Sequence, residues 1–285
     1  MQSSMSPFEI FPFWAWLVIA GAFGSLWGSF ANVVICRWPK GLSIAWPGSH
    51  CPSCGTLIEP FDNIPILSFL LLAGRCRTCG AAIAWRYPLV ELSIALLSAA
   101  CFKDTVLNAA SFEPATVVDY VVSFAFCWAL VVIAFIDLQT QMIPTLLTSA
   151  MTIVGLLAHL TLPNGEPVDA AIGVGVGFGV IWILGQGYRL LRGEVGIGLG
   201  DAHLVAMVGA MLGWRGALFC LVAGAIQGAL VQLAMYLVDR RWREGPISAW
   251  RRPVPFGPFL AAGALEFVVI GARLDPLYHA LITLR

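Results

Sequence analysis

The sequence is poor in charge. Charged residues make up 11% of its 285 residues, whereas soluble domains carry about 25%. Hydrophobic residues make up 59%, and the mean hydropathy is +0.84. These values exclude an ordinary soluble domain and indicate an integral membrane protein. The formal net charge is zero, so nothing in the composition indicates a nucleic-acid partner.

Common hydrolase signatures are also missing. The sequence contains neither the GxSxG pattern of serine hydrolases nor the HExxH pattern of zinc peptidases. Its four histidines, at positions 50, 159, 203 and 279, are too dispersed to predict a metal triad. A hydrolytic function would therefore have to use other groups.

Apolar segments are abundant, and a membrane span needs about 20 such residues. The first segment is longer than a signal peptide's apolar part and follows no basic stretch, so we expect a retained span. We predict an all-α polytopic membrane protein embedded in a lipid bilayer. Its eight predicted spans cover residues 10–36, 88–102, 117–137, 145–162, 169–189, 201–216, 217–238 and 256–272.

Lys and Arg residues predict the orientation through the positive-inside rule. Twelve of the 16 lie in the segments 37–87, 189–200 and 239–253, which we therefore expect to be cytoplasmic. We divide the chain into a first span (1–36), a cytoplasmic loop domain (37–87) and a membrane core (88–285). Repeated glycines within the spans, such as Gly24 and Gly28 or Gly173 to Gly179, predict close helix packing.

Two aspartates lie where apolar segments meet the predicted cytoplasmic side. Asp137 ends the third span and Asp201 begins the sixth. A carboxylate at such a boundary costs desolvation energy, so it is a candidate functional group. Gly196, Gly198 and Gly200 do not complete a GxGxxG motif, and we expect them to give Asp201 an irregular backbone. Two carboxylates sharing a proton can activate water for peptide hydrolysis.

Four cysteines form two CxxC pairs in the polar loop, Cys51 with Cys54 and Cys76 with Cys79. This pattern predicts one tetrahedral zinc site with four thiolate ligands. Two disulfides are an alternative that a reducing cytoplasm disfavours, and redox pairs or His50 as a ligand remain further options. Four protein ligands leave no open position, so we expect a structural zinc ion that staples the loop.

The chain resembles the type IV prepilin peptidase family along nearly its whole length. The resemblance rests on several motifs in one order: GSFANVVICR at 28–37, the two cysteine pairs with DNIP at 62–65 between them, RYPLVE at 86–91, FIDLQTQMIP at 135–144, GLGD at 198–201, LGW at 212–214 and PFGPFL at 255–260.

The resemblance implies that Asp137 and Asp201 are the catalytic pair of an aspartyl endopeptidase. The substrates would be type IV prepilins or type II secretion pseudopilins, cleaved at the cytoplasmic face of the bacterial inner membrane. The family often also methylates the new N-terminal amine with S-adenosylmethionine. The sequence contains no recognisable binding fingerprint for this cofactor, so its site residues are unassigned.

Three positions depart from the family pattern. Gln139 and Thr145 stand where acids are usual, and His203 stands where lysine is common. Histidine changes its charge near neutral pH, so we expect activity to be more pH-sensitive than with lysine. Asp62 and Glu91 also lie in family-like motifs. Either they organise the loop, or Glu91 contacts the positively charged leader or the new amine.

Several alternatives stay open at this point. The chain could be a peptidase without methyltransferase activity, or a transporter with a proton-relay aspartate pair. Transporters usually hold such groups near the midplane and contain repeated halves, which we do not detect. A presenilin-like protease would lack the cysteine loop. A catalytically inactive assembly subunit is disfavoured by the two aspartates.

Overall fold

The computed structural model describes residues 11–109, 111–193, 198–238 and 254–283, with side chains up to residue 271. Within these ranges the regular structure is helical, and the only extended pairing is two isolated β-bridges. The chain divides into two compact units, Met1–Val132 and Ile133–Arg285. The boundary between them falls inside a long helix.

The first unit contains three long helices, the last of them only in part, and the cysteine loop. Its elements are α1 (Phe13–Arg37), a 3-10 turn (Trp38–Lys40), a second 3-10 turn (Pro60–Asn63), the short α2 (Leu67–Leu71), α3 (Arg86–Phe102), a π-helical turn (Lys103–Leu107) and most of α4 (Pro114–Thr140).

Glycines bring α1 and α3 together. A Cβ atom added to Gly28 would lie 2.6 Å from Cα of Glu91, and one added to Gly24 would lie 2.7 Å from the carbonyl oxygen of Ile94. Only glycine allows this backbone approach. The predicted role of these glycines in close packing is confirmed here.

The second unit contains the end of α4 and four further helices. These are α5 (Thr145–Thr161), α6 (Pro167–Arg192), α7 (Leu199–Val238) and α8 (Gly257–Thr283). Helices α6 and α7 cross so closely that a Cβ atom added at Gly173 or Gly209 would overlap the facing backbone. At Gly177 the backbone of Val205 is similarly near, 2.5 Å from such an atom.

Helix α7 is interrupted at Gly213, where φ is 69° and ψ is −177°. A straight helix of its 40 residues would be about 60 Å long, twice the thickness of the hydrocarbon core. The interruption divides it into two segments that agree with the two predicted spans, 201–216 and 217–238. The division lies at Gly213, a few residues before the predicted boundary between residues 216 and 217. Glycine suits this position because it tolerates a positive φ.

Four described helices are long and apolar enough to cross a membrane: Phe13–Lys40, Pro114–Thr140, Pro167–Arg192 and Leu199–Val238. Thr145–Thr161 and Gly257–Gly271 are shorter apolar helices. Large apolar side chains such as Trp14, Val18 and Leu26 are exposed on α1, as expected for a surface that faces lipid. The predicted all-α membrane fold is confirmed, while the count of eight spans and the three domain boundaries stay predictions.

Candidate functional site

Asp137 lies near the end of α4 and is buried, with 4% of its surface exposed. The backbone N–H of Gly257 donates a hydrogen bond to its Oδ2 at 3.0 Å. Gly257 is the first residue of α8, and the first N–H groups of a helix have no partner within the helix. The carboxylate therefore lies at the positive end of the α8 dipole.

Gly257 has no room for a side chain. An added Cβ atom would lie 2.7 Å from Oδ2 of Asp137 and 3.3 Å from Cδ1 of Ile143. Since Pro258 has no N–H to offer, the N–H of Gly257 is the donor that this turn presents to the carboxylate. Glycine at this position holds Asp137 in place.

Asp201 lies in the first turn of α7 and is half-buried. Gly198 lies beside its carboxylate, since a Cβ atom on Gly198 would lie 3.4 Å from Oδ2. Gly198 lies outside the helix, as expected for an irregular backbone, but the expectation is wrong for Gly200, which is already helical. Of the expected irregular glycine segment, Gly196 lies outside the described residues.

The structure brings Asp137 and Asp201 together in the second unit, near enough to interact electrostatically. The side chain of Ile143 lies beside a glycine next to each aspartate in the structure. A Cβ atom on Gly200 would lie 2.9 Å from Cβ of Ile143, and Ile143 also lies beside Gly257. Neither aspartate forms a salt bridge with a residue of the described ranges. Two neighbouring carboxylates without a cationic partner can share a proton and divide acid and base roles.

Gln139 and His203, two of the positions at which the sequence departs from the resemblance, each follow one of the aspartates by two residues. Gln139 is exposed and donates from Nε2 to the carbonyl oxygen of Phe135 at 2.9 Å. His203 donates from Nδ1 to the carbonyl oxygen of Leu199 at 2.8 Å. Its ring meets that of Phe178 edge to face, with the centroids 5.4 Å apart. His203 is thus held against the first turn of α7, the turn that carries Asp201.

The four predicted cysteine ligands form one cluster in the first unit. The Sγ atoms of Cys51, Cys54, Cys76 and Cys79 all lie within 4.8 Å of one another, and those of Cys51 and Cys79 are 3.8 Å apart. All four are free thiols. A zinc ion with Zn–S bonds of about 2.3 Å requires sulfur separations of about 3.8 Å. The cluster can therefore hold a metal ion, and His50 is not part of it.

The backbone repeats the same turn around each cysteine pair. The N–H of Cys51 donates to Thr56 O, and that of Gly55 to Cys51 O, at 2.9 and 2.8 Å. The second pair has the equivalent bonds from Cys76 to Ala81 and from Gly80 to Cys76. Gly55 and Gly80 have φ values of 72° and 70°, which explains the glycine after each pair.

Polar contacts stabilise the cysteine loop around these turns. The Sγ atom of Cys54 donates a hydrogen bond to Oγ1 of Thr56 at 3.3 Å. Asp62 accepts two hydrogen bonds from Arg77, both at 2.6 Å. The guanidinium holds the pKa of the Asp62 carboxyl below its usual range. Asp62 thus ties the segment between the pairs to the second pair.

Comparisons with known proteins agree with this organisation. Residues 22–105 match the model of the bacterial peptidase A24 N-terminal domain, and residues 124–233 match that of the type IV leader peptidase family. The chain belongs to the type IV leader peptidase family. The first match covers the cysteine loop, and the second includes both Asp137 and Asp201.

Relatives from several bacteria carry the name prepilin leader peptidase/N-methyltransferase. One from Aeromonas salmonicida is 35% identical, covering 94% of this chain and 96% of its own length. A Burkholderia pseudomallei relative is 33% identical, with 94% and 89% covered. One from Pseudomonas aeruginosa is 31% identical, with 90% of each chain covered. No solved structure shows a significant match.

The predicted family and enzyme class, a peptidase with methyltransferase activity, are confirmed by these matches. The roles of individual residues stay predictions. Sequence reasoning did not assign a role to Gly257 or Ile143, although both lie in motifs that carried the resemblance. Gly257 contributes through its backbone N–H, which no side-chain pattern reveals.

Proposed function

We propose that this chain is a membrane-embedded aspartyl endopeptidase that uses Asp137 and Asp201. The observation that carries the proposal is the arrangement of two carboxylates at helix ends, one of which accepts a hydrogen bond from the backbone N–H of Gly257. One carboxylate takes a proton from water, which attacks the peptide carbonyl carbon. The other donates a proton to the carbonyl oxygen and later to the leaving amine.

The proposed substrates are type IV prepilins or type II secretion pseudopilins. The names of the relatives support the prepilin class. Arg37 in the last turn of α1, and Arg189 and Arg192 in the last turn of α6, support a cytoplasmic location of these helix ends. In this proposal the leader is removed at the cytoplasmic face of the bacterial inner membrane.

The same chain would methylate the new N-terminal amine, with S-adenosylmethionine as methyl donor. The N-methyltransferase names of the relatives support this second activity. We further propose that the metal of the cysteine cluster is zinc, since four thiolates with these separations suit its coordination. With four protein ligands the ion would be structural and would take no part in hydrolysis.

A cleavage assay with matched variants tests the peptidase mechanism. Purified protein in detergent is incubated with a prepilin, comparing wild type, Asp137→Asn, Asp201→Asn and the control Asp104→Asn, which changes an exposed aspartate of the first unit. The first two variants should lose leader cleavage almost completely, and the control should retain it. Full cleavage by either site variant would refute the paired mechanism.

Radiolabelled S-adenosylmethionine in the same assay tests the second activity. Label should appear on the cleaved pilin with wild-type protein. Cleaved pilin without label would refute the methyltransferase proposal and leave the peptidase proposal intact. The transporter alternative predicts no cleavage by any variant, so the wild-type reaction distinguishes it as well.

A further inference from the structure

Helices α7 and α8 share a polar pair, Gln227 and Glu266. Nε2 of Gln227 donates to Oε1 and Oε2 of Glu266, and both distances are 2.9 Å. Glu266 follows Gly257, the first residue of α8, by nine positions, which corresponds to about 13 Å along the helix. Gly257 contacts Asp137 at the predicted membrane boundary. The pair therefore lies near the middle of a hydrocarbon core that is about 30 Å thick.

The surface around this pair is apolar. Glu266 is exposed, and Gln227 is half-buried. Leu230 follows Gln227 by three residues, Val269 follows Glu266 by three, and each of the two has 60% of its surface exposed. Residues three apart share a helix face, so the polar pair lies in a surface that would contact lipid. A carboxylate exposed to hydrocarbon is costly, which indicates that a polar partner meets it there.

The pair is separate from the aspartate site. A Cβ atom on Gly257 would lie 2.7 Å from Oδ2 of Asp137. Ala261 and Ala264 continue this face of α8 and are buried, with 1% and 0% of their surfaces exposed. Nine residues correspond to two and a half helical turns, so Glu266 lies on the opposite face. A peptide bound at the aspartates therefore does not account for the polar pair.

The pair has more hydrogen-bonding capacity than one chain uses. Within the described part of the chain, Glu266 forms no salt bridge and Oε1 of Gln227 accepts no hydrogen bond. The amide has two N–H groups, and each carboxylate oxygen can accept more than one hydrogen bond. A donor beside an acceptor is complementary to its own copy after a two-fold rotation, which is the commonest symmetry of homodimers.

We propose that the surface formed by Gln227, Leu230, Glu266 and Val269 is an interface with a second copy of this chain. Each Gln227 would donate one N–H to its own Glu266 and the other to the partner's Glu266. The two carboxyl groups can share a proton, which removes their repulsion. Such hydrogen bonds stabilise the association of membrane helices, and Leu230 and Val269 would pack around the polar centre.

Sedimentation equilibrium of the purified full-length protein in density-matched detergent tests the interface. Wild type should form dimers with a measurable Kd. The double variant Gln227→Leu with Glu266→Leu removes donor and acceptor together, so neither is left unpaired, and its Kd should rise at least tenfold. Val269→Trp keeps the pair but places a bulky side chain in the interface, and we expect a rise of the same size. Ile183→Trp is the matched control, since Ile183 lies on α6 with 63% of its surface exposed; its Kd should equal that of wild type.

The outcomes distinguish an interface from a contact that only joins two helices of one chain. A wild-type protein that stays monomeric at every concentration would overturn the proposal. If the double variant dimerises like wild type while its melting temperature falls, the pair serves only to hold α7 against α8, and the proposal is wrong. Equal weakening by Val269→Trp and Ile183→Trp would reveal a general effect of tryptophan and would also overturn it. If the double variant shows no melting transition and is therefore unfolded, the comparison of the two tryptophan variants decides.

Discussion

The backbone N–H of Gly257 donates a hydrogen bond to Oδ2 of Asp137 across 120 positions of sequence. The donor is the first residue of α8 and the acceptor lies near the end of α4. One proposed catalytic carboxylate is thus positioned by main chain rather than by another side chain. The missing Cβ of Gly257 makes the contact possible, which leads to the first prediction.

Gly257→Ala should reduce leader cleavage. The added methyl group would lie 2.7 Å from Oδ2 of Asp137, so the carboxylate would have to move. Misplacing a catalytic group by about 1 Å can cost about 100-fold in rate, and we expect a loss of kcat/KM of that order. Gly179→Ala, where the added group meets open space, is the control. Equal cleavage by both variants would contradict the positioning role.

The cysteine cluster should contain one tightly bound zinc ion per chain. Replacing Cys51 and Cys76 together with serine removes one ligand from each pair, and metal analysis of the purified variant should find no zinc. Cys101→Ser changes a buried thiol outside the cluster and should leave the zinc content unchanged. Undiminished zinc in the double variant would refute the assignment.

Removal of the metal should loosen the cysteine loop without abolishing the membrane fold. Zinc-dependent small domains unfold when a chelator removes the ion. Treatment with a strong chelator should therefore make residues 37–87 sensitive to protease, while the helices of the second unit stay protected. Protection of the loop after complete metal removal would show that the polar contacts alone maintain it.

Gly173→Ala should destabilise the crossing of α6 and α7. The new methyl group would overlap the carbonyl oxygen of Gly209, and overpacking of this kind costs about 1–3 kcal/mol. Gly175→Ala places the same group in open space two residues away. In detergent, the melting temperature of the first variant should fall and that of the second should not. A fall of the same size in both would indicate a general effect of helix composition.

His203→Lys should make cleavage less dependent on pH. Histidine changes its charge between about pH 5 and 8, whereas lysine stays charged. His203 lies against the turn that carries Asp201 and is bonded to Leu199 O, so its charge should influence the aspartate. Rate profiles across this range should be flatter for the variant than for wild type and for the control His50→Gln. Identical profiles for wild type and His203→Lys would show that the substitution is neutral.

Local sequence features predicted much of the architecture. Long apolar segments predicted helices because a buried backbone in lipid must satisfy its hydrogen bonds internally. The paired cysteines, each followed by glycine, predicted the metal-binding turns because CxxC spacing and a positive φ are local properties. The glycine spacing of α1 likewise predicted close packing against another helix, without identifying α3 as the partner. Each of these features depends on residues that are close in the chain.

The sequence by itself determined that this is a helical membrane protein with a four-cysteine cluster and two boundary aspartates. Only the tertiary structure decided that the N–H of Gly257 donates to Asp137 and that Ile143 lies beside Gly200 and Gly257. It also decided that Asn32 and Glu91 line one cavity. These relationships join segments that are distant in the sequence. They consist of a backbone hydrogen bond, close approaches at glycines and an enclosed cavity. No residue type in the sequence indicates these relationships, because each of them exists only after the helices have packed.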